Sequence, residues 1–212
     1  MSFVKHAVIC AAGMGTRLGM NMPKCLVKVG DKTIMQYQLE LLKDVEDIRI
    51  VVGFMEEKVI EHVLNIRKDI TFIRNMNYQN TTNAYSLSLG AEYLNEDYLM
   101  LDGDLLIPNI QYENFVNTIR KNELLIGITP SKTEEAVFVK VSNNQCVGFE
   151  RNISGKYEWS GIAYIPKNAE ISKNGKFVYQ ELEKYLPCNI NVLECYEIDT
   201  PKDLSIAHNF FN

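Results

Sequence analysis

Cysteine is sparse and shows no pairing pattern: Cys10, Cys25, Cys146, Cys188 and Cys195 make an odd count with no C-x-x-C among them. That argues against a disulfide framework and a zinc ribbon. No run of eighteen uncharged apolar residues occurs, so no membrane-spanning helix is expected. Residues 1–12 do not set a basic leader, a long apolar stretch and a small-residue cleavage site in that order, which predicts a cytoplasmic location. Positive charge is not in excess either, with 22 Lys and Arg against 27 Asp and Glu and a net charge of -5. A nucleic-acid surface needs clustered cations to displace counterions, so no nucleic-acid partner is expected. Histidine occurs only at His6, His62 and His208. With no Ser-His-Asp or Cys-His arrangement, these read as structural or surface residues rather than catalytic bases.

What is present is enough apolar residue, 46% of 212, to bury one sizeable core. Short apolar runs alternate with segments of helical period, which predicts an α/β fold with a mostly parallel sheet covered by helices on both faces. Strands are expected over 7–12, 48–52, 70–73 and 98–101. Helices are expected from the Thr33–Gln36 capping box, with Met35, Leu39 and Leu42 on one face, over 56–66, and from Asn83 with Ala84, Leu87, Ala91 and Leu94 as its stripe. After Lys121 the texture turns β-rich, with strands over 124–129, 137–141, 145–149 and 159–165. A helix ending at Pro187, a strand over 191–198 and a last helix capped by Thr200, with Pro201 first and Asp203 third, complete the pattern. One domain spanning 1–212 is expected, with about 1–110 facing nucleotide and about 111–212 facing acceptor.

The first strand runs into Ala11-Ala12-Gly13-Met14-Gly15-Thr16-Arg17-Leu18-Gly19, small residues that let backbone N–H groups approach a phosphate chain. A dinucleotide fingerprint would want glycine where Leu18 stands and an uninterrupted helix where Asn21-Met22-Pro23 falls; a Walker A lysine motif is absent too. Arg17 and Lys24 add two permanent cations beside the glycines, which suits a triphosphate. Further on, the apolar run 98–101 meets Asp102-Gly103-Asp104, and another strand ends in Asp199. Carboxylates at the C-terminal ends of strands are where open α/β sheets put their ligands, and hard oxygen donors suit Mg²⁺. Asp104 and Asp199 are therefore the expected metal ligands, provided their strands are neighbours.

The run Ala11-Ala12-Gly-x-Gly-Thr-Arg, with Pro23-Lys24 and Asp102-x-Asp104 downstream, resembles the sugar nucleotidyltransferases and related cytidylyltransferases over nearly the whole chain. The resemblance implies a Rossmann-like three-layer α/β/α sandwich with a mixed, mostly parallel sheet. It also implies a triphosphate-binding loop of Ala11, Ala12, Gly13, Gly15 and Thr16, with Arg17 and Lys24 stabilising charge at the phosphates. The stretch 75–89, Asn83-Ala84-Tyr85-Ser86-Leu87 above all, and Tyr196-Glu197-Ile198-Asp199-Thr200 look like the bacterial choline-phosphate cytidylyltransferases, whose nucleotide is CTP. Asn83 and Asp102 join the nucleotide set on that basis. Val147-Gly148-Phe149-Glu150-Arg151 is similar to the family's acceptor segment, where a Lys holds the acceptor phosphate; here Arg151 keeps the charge with a different geometry. Trp159, the single tryptophan, begins a strand similar to the one under the acceptor. It either packs in the core or faces a quaternary ammonium, with Glu158 or Glu150 adding negative charge.

The implied activity is Mg²⁺-dependent transfer of a nucleotidyl group, CMP from CTP by the nearer resemblance, to a small phosphorylated or phosphonate acceptor with release of pyrophosphate. Alternatives at this stage are a sugar-1-phosphate nucleotidyltransferase using UTP or dTTP, a D-x-D glycosyltransferase and a non-catalytic NTP sensor. The acceptor and the oligomeric state stay open on the residues alone.

Overall fold

The computed structural model describes residues 4–132, 136–151 and 153–211. In β1 (His6–Ala11), Val8 and Ile9 are both fully buried and pack into different core clusters, one on each face of the strand. A strand buried on both faces belongs in the middle of a parallel sheet. There follow a short hairpin, β2 (Lys28–Val29) and β3 (Lys32–Thr33), then α1 (Ile34–Leu41), β4 (Asp47–Val52), α2 (Glu56–Leu64) and β5 (Ile70–Arg74). Next come α3 (Asn83–Gly90), β6 (Tyr98–Asp102), β7 (Leu105–Leu106) and α4 (Asn109–Thr118). The second half supplies β8 (Leu125–Pro130), β9 (Phe138–Ser142), β10 (Gln145–Glu150), β11 (Tyr157–Ile165), α5 (Val178–Leu182), β12 (Cys188–Val192), β13 (Tyr196–Glu197) and α6 (Pro201–Phe210).

Nine strands form one mixed sheet in the order β5-β4-β1-β6-β11-β8-β12-β10-β9. The first four run parallel, and β11 then returns antiparallel to β6. One face packs on α1, α2 and α4 through Met35, Leu39, Val59, Val63, Tyr112 and Phe115. The other packs on α3 and α5 through Ala84, Leu87, Val178 and Leu182. This is the three-layer sandwich with a mixed sheet. Because the chain leaves β1 toward β4 and β5 and returns on its other side as β6, the connections after β1 and β6 diverge and open a crevice above their C-terminal ends.

Several expected boundaries shift. Helix α3 stops at Gly90, so Ala91 and Leu94 of the expected stripe lie beyond it, still packed on the same core. The helix expected to reach Pro187 is α5 followed by a 3-10 turn, Glu183–Tyr185, consistent with the constraint proline puts on the residue before it. The strand expected over 191–198 is two elements. β12 ends at Val192, and β13 leaves the main sheet to pair with β7 as a separate ribbon. Among the described residues no helix is long and apolar enough to cross a membrane.

Candidate active site

The loop after β1 is held open by its own backbone geometry. Gly15 takes φ +60°, and a Cβ there would lie 2.5 Å from Cγ of Lys24. Hydrogen bonds from Leu18 N to Gly15 O (3.1 Å) and Gly19 N to Thr16 O (3.2 Å) close a 3-10 turn, and buried Leu18 anchors it. Around Gly13 nothing stands within 4 Å of an added Cβ, so its backbone faces open space. Downstream, Cys25 and Val27 are buried, and the 3-10 turn Lys24–Leu26 sends the Lys24 side chain back under the glycines.

The acidic turn is fixed from three directions. Gly103 N donates to Cys10 O at 3.0 Å, and a Cβ at Gly103 would meet that oxygen at 2.8 Å and Ala11 Cα at 2.9 Å. Gln38 Nε2, from α1, donates to Asp102 O (2.7 Å) and Leu105 O (2.9 Å). Ile198 N donates to Asp104 O at 3.1 Å. The ribbon of β7 and β13 thus brings Asp199 next to Asp104, although β13 is not a strand of the main sheet. Lys24 Nζ lies 2.7 Å from Asp104 Oδ2 and also donates to Asp199 Oδ1, while Arg17 NH2 stands 2.8 Å from Asp199 Oδ2.

Charges in this crevice are strongly coupled. Burial works against the Lys24 ammonium, but Asp104 and then Asp199 outweigh it and hold its pKa above the ordinary lysine value. Asp102 is pushed up to about 8 by burial and then by Asp104, and Asn83 Nδ2, 3.4 Å from its Oδ1, works in the opposite sense. Glu197 is reached by solvent from the open side of the cleft, yet the protein packed round its carboxyl, and after it Asp104, Asp102 and Asp199, raise its pKa well above the carboxylate range. Gly161, at φ +73°, leaves room for both: a Cβ there would sit 3.1 Å from Asp102 Oδ2 and 3.2 Å from Glu197 Oε1.

At the other end of the cleft lie aromatic rings. Trp159 meets Phe149 edge-on with centroids 6.3 Å apart, Phe177 stacks on Tyr179 at 5.8 Å, and the Arg151 guanidinium lies 4.5 Å from the Phe177 centroid. Ala11, Ala12, Gly13, Gly15, Thr16, Arg17, Lys24, Asn83, Asp102, Asp104, Arg151, Trp159 and Asp199 all line this one cavity of about 460 Å³.

Residues 7–151, more than half of the chain, match the model of the MobA-like NTP transferase domain. The chain belongs to that family. This NTP transferase domain is 37% identical over 109 residues to a choline-phosphate cytidylyltransferase of Streptococcus pneumoniae, an overlap of 49% of this chain and 47% of that protein. It is 30% identical over 194 residues to the bifunctional protein GlmU of Methanococcus vannielii, 89% of this chain and 45% of that one. The chain thus spans about half the length of these two curated relatives. Its fold is shared with the solved CTP:phosphocholine cytidylyltransferase of Streptococcus pneumoniae, TM-score 0.80 at 24% identity, covering 99% of this chain and 100% of that one.

Other expectations about this NTP transferase domain need correction. Glu150 pairs with Lys140, and Glu158 accepts from Lys132 N at 3.1 Å; neither lines the cavity, because both are engaged in the β-rich half. Trp159 is buried against Phe149, as the packing alternative has it, and also borders the cavity. The three histidines stay out: His6 bonds Asp47, His62 bonds Thr33 and His208 accepts from Gly30 N. Residues missed in the sequence include Glu197, Asn75, Tyr78, Phe177, Tyr179 and Gln38. For Gln38 a signal existed, since a glutamine within the arc of Met35, Leu39 and Leu42 is polar on a buried face. Asn75 and Tyr78 precede α3 and reach the cavity by loop geometry that no periodicity reveals.

Proposed function

We propose that this NTP transferase domain moves the NMP group of a nucleoside triphosphate, CMP from CTP, onto the phosphate of a small phosphocholine-like acceptor and releases pyrophosphate. The observation that carries this is the meeting of Asp104 and Asp199 on one cationic atom, Lys24 Nζ, beneath an open glycine loop. Two carboxylates that share one cation offer the hard oxygen donors Mg²⁺ uses. An ion held by these two carboxylates would keep water and phosphate oxygens as its other ligands, as Mg²⁺ does. When bound by Asp104 and Asp199, Mg²⁺ would supply charge neutralisation at the phosphates.

The chain's own residues do the rest. Amides of the Gly13–Gly15 turn cradle the leaving phosphates, and Arg17 and Lys24 offset the charge that gathers on pyrophosphate. An acceptor phosphate is already anionic near neutral pH, so no general base is required, in keeping with histidines that stay outside the cavity. Arg151 and the rings of Trp159, Phe177 and Tyr179 would orient the acceptor opposite the leaving group, and the aromatic faces suit a cationic amine. The first half of the chain would then serve nucleotide and the second half acceptor. Five free cysteines suit a reducing, cytoplasmic setting. Pyrophosphate release with the four common NTPs, each against choline phosphate, an aminoalkylphosphonate, polyol phosphates and sugar 1-phosphates, tests the proposal. Turnover of CTP with an amine-bearing phosphate supports it; turnover only of UTP or dTTP with a sugar 1-phosphate replaces it; binding of nucleotide without any turnover refutes it.

A further inference from the structure

Gln38 is the fully buried polar residue of α1, on the arc that otherwise packs Ile34, Met35 and Leu39 into the core. A glutamine there is costly unless its amide is used. Both Nε2 protons are used, on the carbonyls of Asp102 and Leu105, which bracket Gly103 and Asp104. Among the described residues its Oε1 has no partner. The amide is therefore oriented for what it donates, and the fold tolerates an unsatisfied acceptor to keep both carbonyls paired.

We propose that Gln38 is a positioning residue for the cation site: by clamping the main chain on both sides of Asp104 it sets that carboxylate against Asp199. The inference rests on the nucleotidyl-transfer reading above and deepens it. Gly103 N on Cys10 O and Ile198 N on Asp104 O hold the same turn toward β1 and β13, and the Gln38 amide adds the restraint from α1. Without that contact the β6–β7 turn keeps its place in the fold and loses its register relative to Asp199. Carboxylates whose supporting hydrogen bonds are lost typically hold a metal more weakly.

The test compares the native chain with Gln38→Met, which keeps the length without donors, and Gln38→Glu, which keeps the shape but, when ionised, turns acceptors toward two carbonyls. Melting curves identify which variants fold; if Q38M does not, the measurements on Q38E decide. The expected result has three parts: faster amide hydrogen exchange over residues 103–106, Mn²⁺ affinity of the enzyme–CTP complex (read by EPR) weakened about tenfold, and the Mg²⁺ concentration for half-maximal rate raised in proportion. The KM for CTP at saturating Mg²⁺ should change less than about twofold, because the Gln38 amide bonds to the β6–β7 turn and not to the Gly13–Gly15 loop. A folded variant with native Mn²⁺ affinity and Mg²⁺ dependence overturns the inference and leaves the transfer reading standing. A native chain that releases pyrophosphate with no NTP and acceptor overturns the transfer reading, and the inference falls with it.

Discussion

The Lys24 ammonium lies 2.7 Å from the Asp104 carboxylate and at the same time holds Asp199, so one side chain of the glycine-loop segment pairs with two acids that arrive from two other parts of the chain. On the proposed reading, a divalent ion would compete with this ammonium for the same oxygens in the nucleotide-free protein.

Replacing Lys24 with Met should therefore have two effects of opposite sense. Turnover should fall roughly 100-fold or more, through lost charge stabilisation at the phosphates. Mn²⁺ binding to the protein without nucleotide should tighten, since the competing cation is gone. Titration by EPR alongside a pyrophosphate assay measures both; weaker Mn²⁺ binding in the variant would contradict the competition.

Asp104→Asn should abolish measurable turnover at any ordinary Mg²⁺ concentration while the protein stays folded. Its main-chain bonds to Ile198 N and through the Gln38 clamp do not involve the carboxylate. A variant with near-native rate at saturating Mg²⁺ would remove Asp104 from the metal assignment.

Two glycines should behave in contrasting ways. Gly103→Ala drives a Cβ against Cys10 O and Ala11 Cα, both backbone-borne atoms at 2.8 and 2.9 Å, so the turn must shift and the melting temperature should drop. Gly13→Ala meets nothing within 4 Å, so stability should hold while the KM for CTP rises, the new methyl standing where phosphate approaches. Differential scanning calorimetry and steady-state kinetics on the pair separate the two.

Asp102 gives a pH dependence. Its folded pKa of about 8 lies above the unfolded value of about 3.9, so the folded state binds a proton that the unfolded state has released. Native stability is accordingly lost as pH rises from about 4 through about 8, and Asp102→Asn escapes that loss. In EDTA and without nucleotide, the melting temperature of D102N relative to native should climb between about pH 5 and pH 8 and level off above that. A constant difference would show that burial does not raise this carboxyl.

Arg151→Lys should raise the acceptor KM far more than that of CTP. The guanidinium carbon lies over the Phe177 ring, 4.5 Å from its centroid, and 5.3 Å from that of Tyr179, and a lysine ammonium does not reproduce the planar, forked cation placed there. Equal change in both KM values would detach Arg151 from the acceptor end.

Local chemistry made much of this protein readable from its residues alone. The glycine loop follows from the small residues after an apolar strand, α1 and α6 from their capping boxes, and Asp102 and Asp104 from an apolar run that ends in acids. All of these are near-neighbour effects, set by backbone conformation and by period. Long-range pairing settled the rest. That Asp199 arrives on a β7–β13 ribbon outside the main sheet, that Gln38 spends its amide on the carbonyls of residues 102 and 105, and that Glu197 faces Asp102 across Gly161 depend on segments far apart in the chain. Such contacts carry no sequence period, because they are decided by which surfaces the packed sheet brings together, and only the folded chain contains that information.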